Sequence, residues 1–88
     1  MYSLYIKPNI DKKLSKLYKK DKKRYEQIMK KIEEILKNPY HFKPLRAPMQ
    51  NLREVHIGHF VLIYSINENK RTVTLEDYDH HDKIFVKR

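Results

Sequence analysis

The sequence predicts an α+β fold in which a helical hairpin packs on one face of a mainly antiparallel four-stranded sheet, in the order β-α-α-β-β-β. Three observations carry this. A short alternating stretch opens the chain, two segments with apolar residues at helical spacing follow, and the rest divides into β-rich runs separated by turn residues.

The stretch YSLYIK (2–7) alternates, with Tyr2, Leu4 and Ile6 on one face, and suits a first strand. Pro8 is expected to end it and Asn9 to cap a helix carrying Ile10, Leu14, Leu17 and Tyr18 on one side. KKDKK then reads as a turn, with Asp21 capping a second helix whose stripe is Tyr25, Ile28, Met29, Ile32, Ile35 and Leu36. Pro44 and Pro48 mark residues 41–51 as a loop. LREVHI (52–57) is a strand and Gly58-His59 a tight turn, while FVLIYSI (60–66), apolar on both faces, is a central strand. NENK is the next turn and RTVTLEDY (71–78) the last long strand, leaving HHDKIFVKR as a short strand or helical turn. The helices should cover one sheet face and leave the opposite face open.

At 88 residues the chain should form one domain, 1–88, too small to bury a large cofactor, and none is expected. Its net charge of +9 favours a polyanionic partner, with an acidic protein or anionic membrane surface also answering the charge. The absence of Cys excludes disulfides and thiolate zinc sites. MYSLYIKPN lacks the apolar run of a signal peptide and no stretch reaches membrane-span length, so a cytoplasmic protein without a membrane partner is expected.

Charge and histidines are unevenly placed. Residues 1–37 hold 12 basic and five acidic side chains, whereas all five histidines, His41, His56, His59, His80 and His81, follow them. An amphipathic helix needs a polar face, which accounts for many lysines without invoking function. The first helix, KKLSKLYKKDKKR, has few balancing acids, however, and Lys12, Lys13, Lys19 and Lys20 are candidates for phosphate contact.

The stretch DYDHHDKIF (77–85) raises the question of a metal site. Consecutive strand residues point to opposite faces, so His80 and His81 do not readily share an ion, and spaced histidine pairs are missing; no metal is expected. Acid/base chemistry asks less. Imidazole titrates near neutral pH, so one histidine accepts a proton while another donates one. If the last strands are adjacent, His56 and His81 can share the open face, flanked by Lys43, Arg46 and Arg53. RNA cleavage through the ribose 2′-hydroxyl uses such a set: a base, an acid, and cations that stabilise the phosphorane.

The element order, the basic hairpin, KPL before the sheet, LREVHIGHFVLIY and the terminal HHDKIF together resemble the RelE/ParE superfamily of toxins from toxin–antitoxin pairs. The likeness covers nearly the whole chain and is nearest to the YafQ-like branch. It implies that His56 and His81 match functional histidines, that Phe85 matches the aromatic after the terminal histidine, and that Phe60 matches an aromatic able to stack on a base. Lys43 stands where the branch has a histidine, and His59 where it has an aspartate. Val61 replaces an arginine common in RelE-like members, which leaves phosphate stabilisation to Arg53, Arg46 or Lys43.

The resemblance implies a type II toxin that cuts messenger RNA on the ribosome without metal and is neutralised by a cognate RelB-like antitoxin. On that reading His81, His56, Arg53, Lys43 and His59 are catalytic candidates, and Phe60, Phe85, Arg46, Lys12, Lys13, Lys19 and Lys20 contact RNA. A ParE-like inhibitor of DNA gyrase, or an RNA-binding relative without catalysis, would show the same charge pattern.

Overall fold

Strand β1 (Ser3–Ile6) opens the chain, and Pro8 begins helix α1 (Pro8–Lys20). The expected cap at Asn9 is displaced: Lys7 is the capping residue and offers no side-chain cap. Proline fits this first turn because its φ is preset and its missing N–H has no intrahelical partner to lose. Asp21 alone connects α1 to α2 (Lys22–Lys37), so the turn is far shorter than KKDKK suggested. Its N–H donates to the Leu17 carbonyl at 2.8 Å, and its carboxylate accepts from the Arg24 N–H at 3.1 Å. One residue thus closes one helix and starts the next.

The computed structural model describes residues 1–49 and 51–84, and Phe85 lies outside the described residues. After the loop come β2 (Leu52–Ile57), β3 (Phe60–Asn67), β4 (Thr72–His80) and the helical turn α3 (His81–Ile84). The sheet order is β1-β4-β3-β2, with β1 parallel to β4 and the other pairs antiparallel. The hairpin therefore carries the chain from one sheet edge to the other.

Strand alternation divides the side chains between two faces. On one, Val55, Ile57, Leu62, Tyr64, Val73, Leu75 and Tyr78 bury against Ile10, Leu14, Ile28, Ile32 and Ile35 of the helices. Leu75 and Tyr78 share this face despite their odd separation because the β3–β4 register shifts between Ile63 and Tyr64, with Ile63 opposite Asp77 and Tyr64 opposite Leu75. Fully burying an isoleucine stabilises by about 1.5–3 kcal/mol, so the hairpin is held on the sheet chiefly by this seam.

The opposite face is not left open as the sequence suggested. Val61 and Ile63 are fully buried there beneath Leu45 of the loop and Ile84 of α3, with Met49 and Leu52 alongside. A strand apolar on both sides needs cover on both. Here a loop and one helical turn supply what a second helical layer provides in larger folds. The loop also extends the sheet edge, since the Glu54 N–H donates to the Lys43 carbonyl at 3.1 Å and the Leu45 N–H to the Leu52 carbonyl at 2.9 Å. No helix among the described residues is long and apolar enough to cross a membrane.

Candidate active site

His56 lies opposite Val61 on β2, on the face covered by the loop and α3. Gly58 and His59 reverse the chain into β3, and Gly58 takes a φ of 63°, as in the two-residue hairpin turn that puts glycine first. Beside this turn, where Phe60 pairs with His80, β4 gives way to α3, whose first residue is His81. The His81 N–H donates to the His59 carbonyl at 2.8 Å, which fixes the start of α3 against this turn. The His56 and His81 rings consequently come to 6.5 Å between centroids, with planes inclined at 48°.

Each imidazole has a carboxylate beside it. His56 Nε2 is 3.2 Å from Glu54 Oε1, and His81 Nδ1 is 3.0 Å from Asp82 Oδ1. Both rings remain exposed. Glu54 also borders a cavity of about 300 Å³ whose lining includes Lys43, Arg46, Leu45 and Met49. Two imidazoles, a carboxylate orienting one of them and two cations therefore share one side of the sheet. Glu54 stands outside the candidates that residue type suggests, yet positions two apart on a strand face the same way, so Glu54 accompanies His56.

The alternation that unites Glu54 and His56 sends Arg53 elsewhere. Arg53 pairs in register with Tyr64 on the helix side. Its guanidinium donates to the Phe42 carbonyl at 2.6 Å and lies 5.1 Å from the Tyr40 ring centroid. It braces the turn that follows α2 and does not flank the histidines. Tyr64 is buried beside it, donates to the Pro39 carbonyl at 2.6 Å, and has its hydroxyl pKa pushed up to about 12 by burial.

Phe60 also sits on the helix side. Tyr78 stacks with it at 5.3 Å, Arg24 lies over its ring at 4.5 Å and His80 meets it edge-on at 5.4 Å. The ring therefore serves packing and is not presented as a bare platform for a base. His59 and His80 form a second stacked pair, 6.1 Å between centroids, and the His80 Nδ1 accepts from the Asp82 N–H at 3.2 Å. Val61 fills the second core and contributes no charge to the site.

The four lysines singled out on α1 divide. Lys13 reaches the part of β4 that extends beyond β1, donating to the Tyr78 carbonyl at 2.6 Å and lying 3.8 Å from Asp79 and 3.9 Å from Asp77. Lys12, Lys19 and Lys20 are exposed and without an ion pair among the described residues. No group of three potential metal ligands converges among the described residues.

This fold is that of the RelE toxins. A mutant of Escherichia coli RelE in the free state superimposes with a TM-score of 0.80 at 22% identity, covering 98% of this chain and 90% of that one. The RelBE2 toxin–antitoxin complex of Mycobacterium tuberculosis gives 0.73 at 21% identity, covering 90% and 96%. In sequence the chain is 48% identical over 89 residues to the putative toxin RelE4 of Methanocaldococcus jannaschii, covering all of this chain and 95% of that protein. It is 57% identical over 86 residues to an uncharacterized protein of Methanosarcina mazei, covering 97% of this chain and all of that protein. Residues 4–85 match the family described as the ParE toxin of the type II toxin-antitoxin system, parDE. The chain belongs to this family of type II toxins, within the RelE/ParE superfamily.

Proposed function

We propose that this toxin is an endoribonuclease that cuts messenger RNA on the ribosome by metal-independent acid/base catalysis. The observation that carries the proposal is the apposition of His56 and His81, exposed and 6.5 Å apart, with Lys43 and Arg46 on the same side of the sheet.

One imidazole removes the proton of a ribose 2′-hydroxyl. The freed oxygen attacks the adjoining phosphorus, and the bond to the 5′-oxygen breaks as the second imidazole protonates that leaving group. The products are a 2′,3′-cyclic phosphate and a 5′-hydroxyl, with no water consumed. Lys43 and Arg46 stabilise the charge that builds on the phosphorane oxygens, and Glu54 orients His56. His59 acts through its carbonyl, which holds the start of α3 in place. Lys12, Lys19 and Lys20 hold ribosomal RNA through its phosphates. A cognate antitoxin with an acidic contact region covers the basic surface; RelE and RelBE2 structures solved with antitoxins support this partner.

A ParE-like action on DNA gyrase is the second reading, favoured by the match to the ParE toxin family. Mapping message 5′ ends after induction, beside a supercoiling assay with purified toxin and gyrase, separates the two. New toxin-dependent ends inside translated codons, with gyrase unaffected, are expected; gyrase inhibition without new ends would replace nuclease with inhibitor.

A further inference from the structure

From the structure we infer that the groove between α2 and the open edge of β2 is a binding subsite for single-stranded RNA, in which Lys30 holds the phosphate neighbouring the one being cut and Gln27 meets the adjoining base. This rests on the nuclease reading and extends it to a part of the molecule that the acid/base chemistry does not use.

On α2, Gln27, Lys30, Lys31 and Glu34 recur at helical spacing, forming a polar stripe beside the buried Ile28, Ile32 and Ile35. They line a groove of about 440 Å³ whose other wall is His56, Ile57 and Gly58. His56 thus belongs to the catalytic pair and to this groove together. Lys31 is occupied, 3.5 Å from Glu34 and 5.8 Å from the Phe42 ring centroid. Lys30 and Gln27 are exposed, and neither has a polar partner among the described residues.

The wall formed by β2 is chemically suited to a phosphate. Ladder alternation directs the backbone N–H of Glu54 and of His56 to the outer edge. The Glu54 N–H is taken by the Lys43 carbonyl, whereas beyond that point no segment covers the edge among the described residues. An outward amide and a free ammonium therefore border one groove. Gly58, with no side chain and nothing within 4 Å of where a Cβ would stand, leaves its mouth unobstructed. The open length, His56 to Gly58, is too short to accept an added peptide strand, which favours RNA over an antitoxin segment.

The test is cleavage of message on programmed ribosomes by wild type, Lys30→Ala, Lys30→Arg and Gln27→Ala, with antitoxin affinity measured in parallel. Lys30→Ala should raise KM roughly tenfold with kcat nearly unchanged, as removal of one charge-assisted phosphate interaction requires, and Lys30→Arg should restore most of it. Gln27→Ala should redistribute cut sites among codons. A 4-thiouridine next to the scissile phosphate should crosslink to residues 27–34 in wild type. Unchanged KM, cut sites and crosslinks in an active enzyme would overturn the subsite while the nuclease reading stands. A Lys30→Ala variant weakened only toward antitoxin would reassign the groove to the partner protein. Absence of cleavage by wild type would instead defeat the nuclease reading, and the subsite with it.

Discussion

The His56 and His81 imidazoles lie 6.5 Å apart between centroids although they come from the second strand and from the helical turn after the last. Their apposition depends on the Gly58-His59 turn, because the His59 carbonyl anchors the His81 N–H. If the two act as an acid/base couple, His56→Ala and His81→Ala should each lower kcat by about 10²–10⁴, and the double variant should lose little more than either alone. Single-turnover cleavage on purified ribosomes measures this, and additive losses would show that the two act separately. Toxin stripped with a chelator before addition should keep its rate, and zinc should not increase it.

Glu54 should act on His56 and not on RNA directly. Glu54→Gln preserves shape and a hydrogen-bonding group, so kcat should fall several-fold, by about 3–10, with KM unchanged and the shape of the pH profile altered. Circular dichroism would confirm the fold. A rise in KM alone would place Glu54 in substrate binding.

Reversing charge at Lys12, Lys19 and Lys20 should weaken ribosome association and reduce its salt dependence, by roughly 0.7–0.9 in log–log slope for each phosphate no longer neutralised. Lys13→Glu should behave differently, because Lys13 is tied to β4 through the Tyr78 carbonyl and beside Asp77 and Asp79. Its main effect should be a lower Tm. Equal effects on binding from all four would contradict the division seen in the structure.

Three segments distant in sequence meet at Glu68, whose carboxylate accepts from the Tyr2 hydroxyl at 2.7 Å and the Tyr40 hydroxyl at 2.7 Å, with Arg71 3.2 Å away. These bonds, that from Tyr2 foremost, hold the Glu68 carboxyl below its usual range. Its contribution is present above the unfolded carboxylate pKa and lost as pH falls through the lower folded one. The same bonds raise the Tyr2 and Tyr40 pKa values, so that part is present below about 10 and lost as pH rises through them. Glu68→Gln should flatten the acid limb of a Tm–pH curve, and an unchanged limb would contradict the coupling.

Much of the frame is legible from simple periodicities. Helical spacing locates both helices, Asp21 marks their junction, and the doubly apolar FVLIYSI identifies the central strand. That same doubly apolar character also signals a covered second face, contrary to the open face expected, since Val61 and Ile63 require burial as much as Leu62 and Tyr64 do. Nearness in sequence groups Arg53 with His56, although their odd separation on a strand sends them to opposite faces. Phe60 and Lys13 are beyond such reasoning, because their partners, Arg24 and Tyr78 for one and the β4 edge for the other, are set by tertiary packing. That His56 and His81 come to one face follows in outline from β2, β3 and β4 lying side by side, with α3 continuing from β4. The carbonyl of His59 that brings them together does not, because a backbone hydrogen bond leaves no mark in residue type.

The most direct measurement is end-group analysis of a message cut on programmed ribosomes, using a normal codon and one with a single 2′-deoxy nucleotide 5′ of the cut. Wild-type toxin should produce 2′,3′-cyclic phosphate and 5′-hydroxyl ends, the deoxy message should stay intact, and His81→Ala should yield almost no cut. Cleavage of the deoxy message, 5′-phosphate ends, or full activity of His81→Ala would contradict histidine-driven attack by the 2′-hydroxyl.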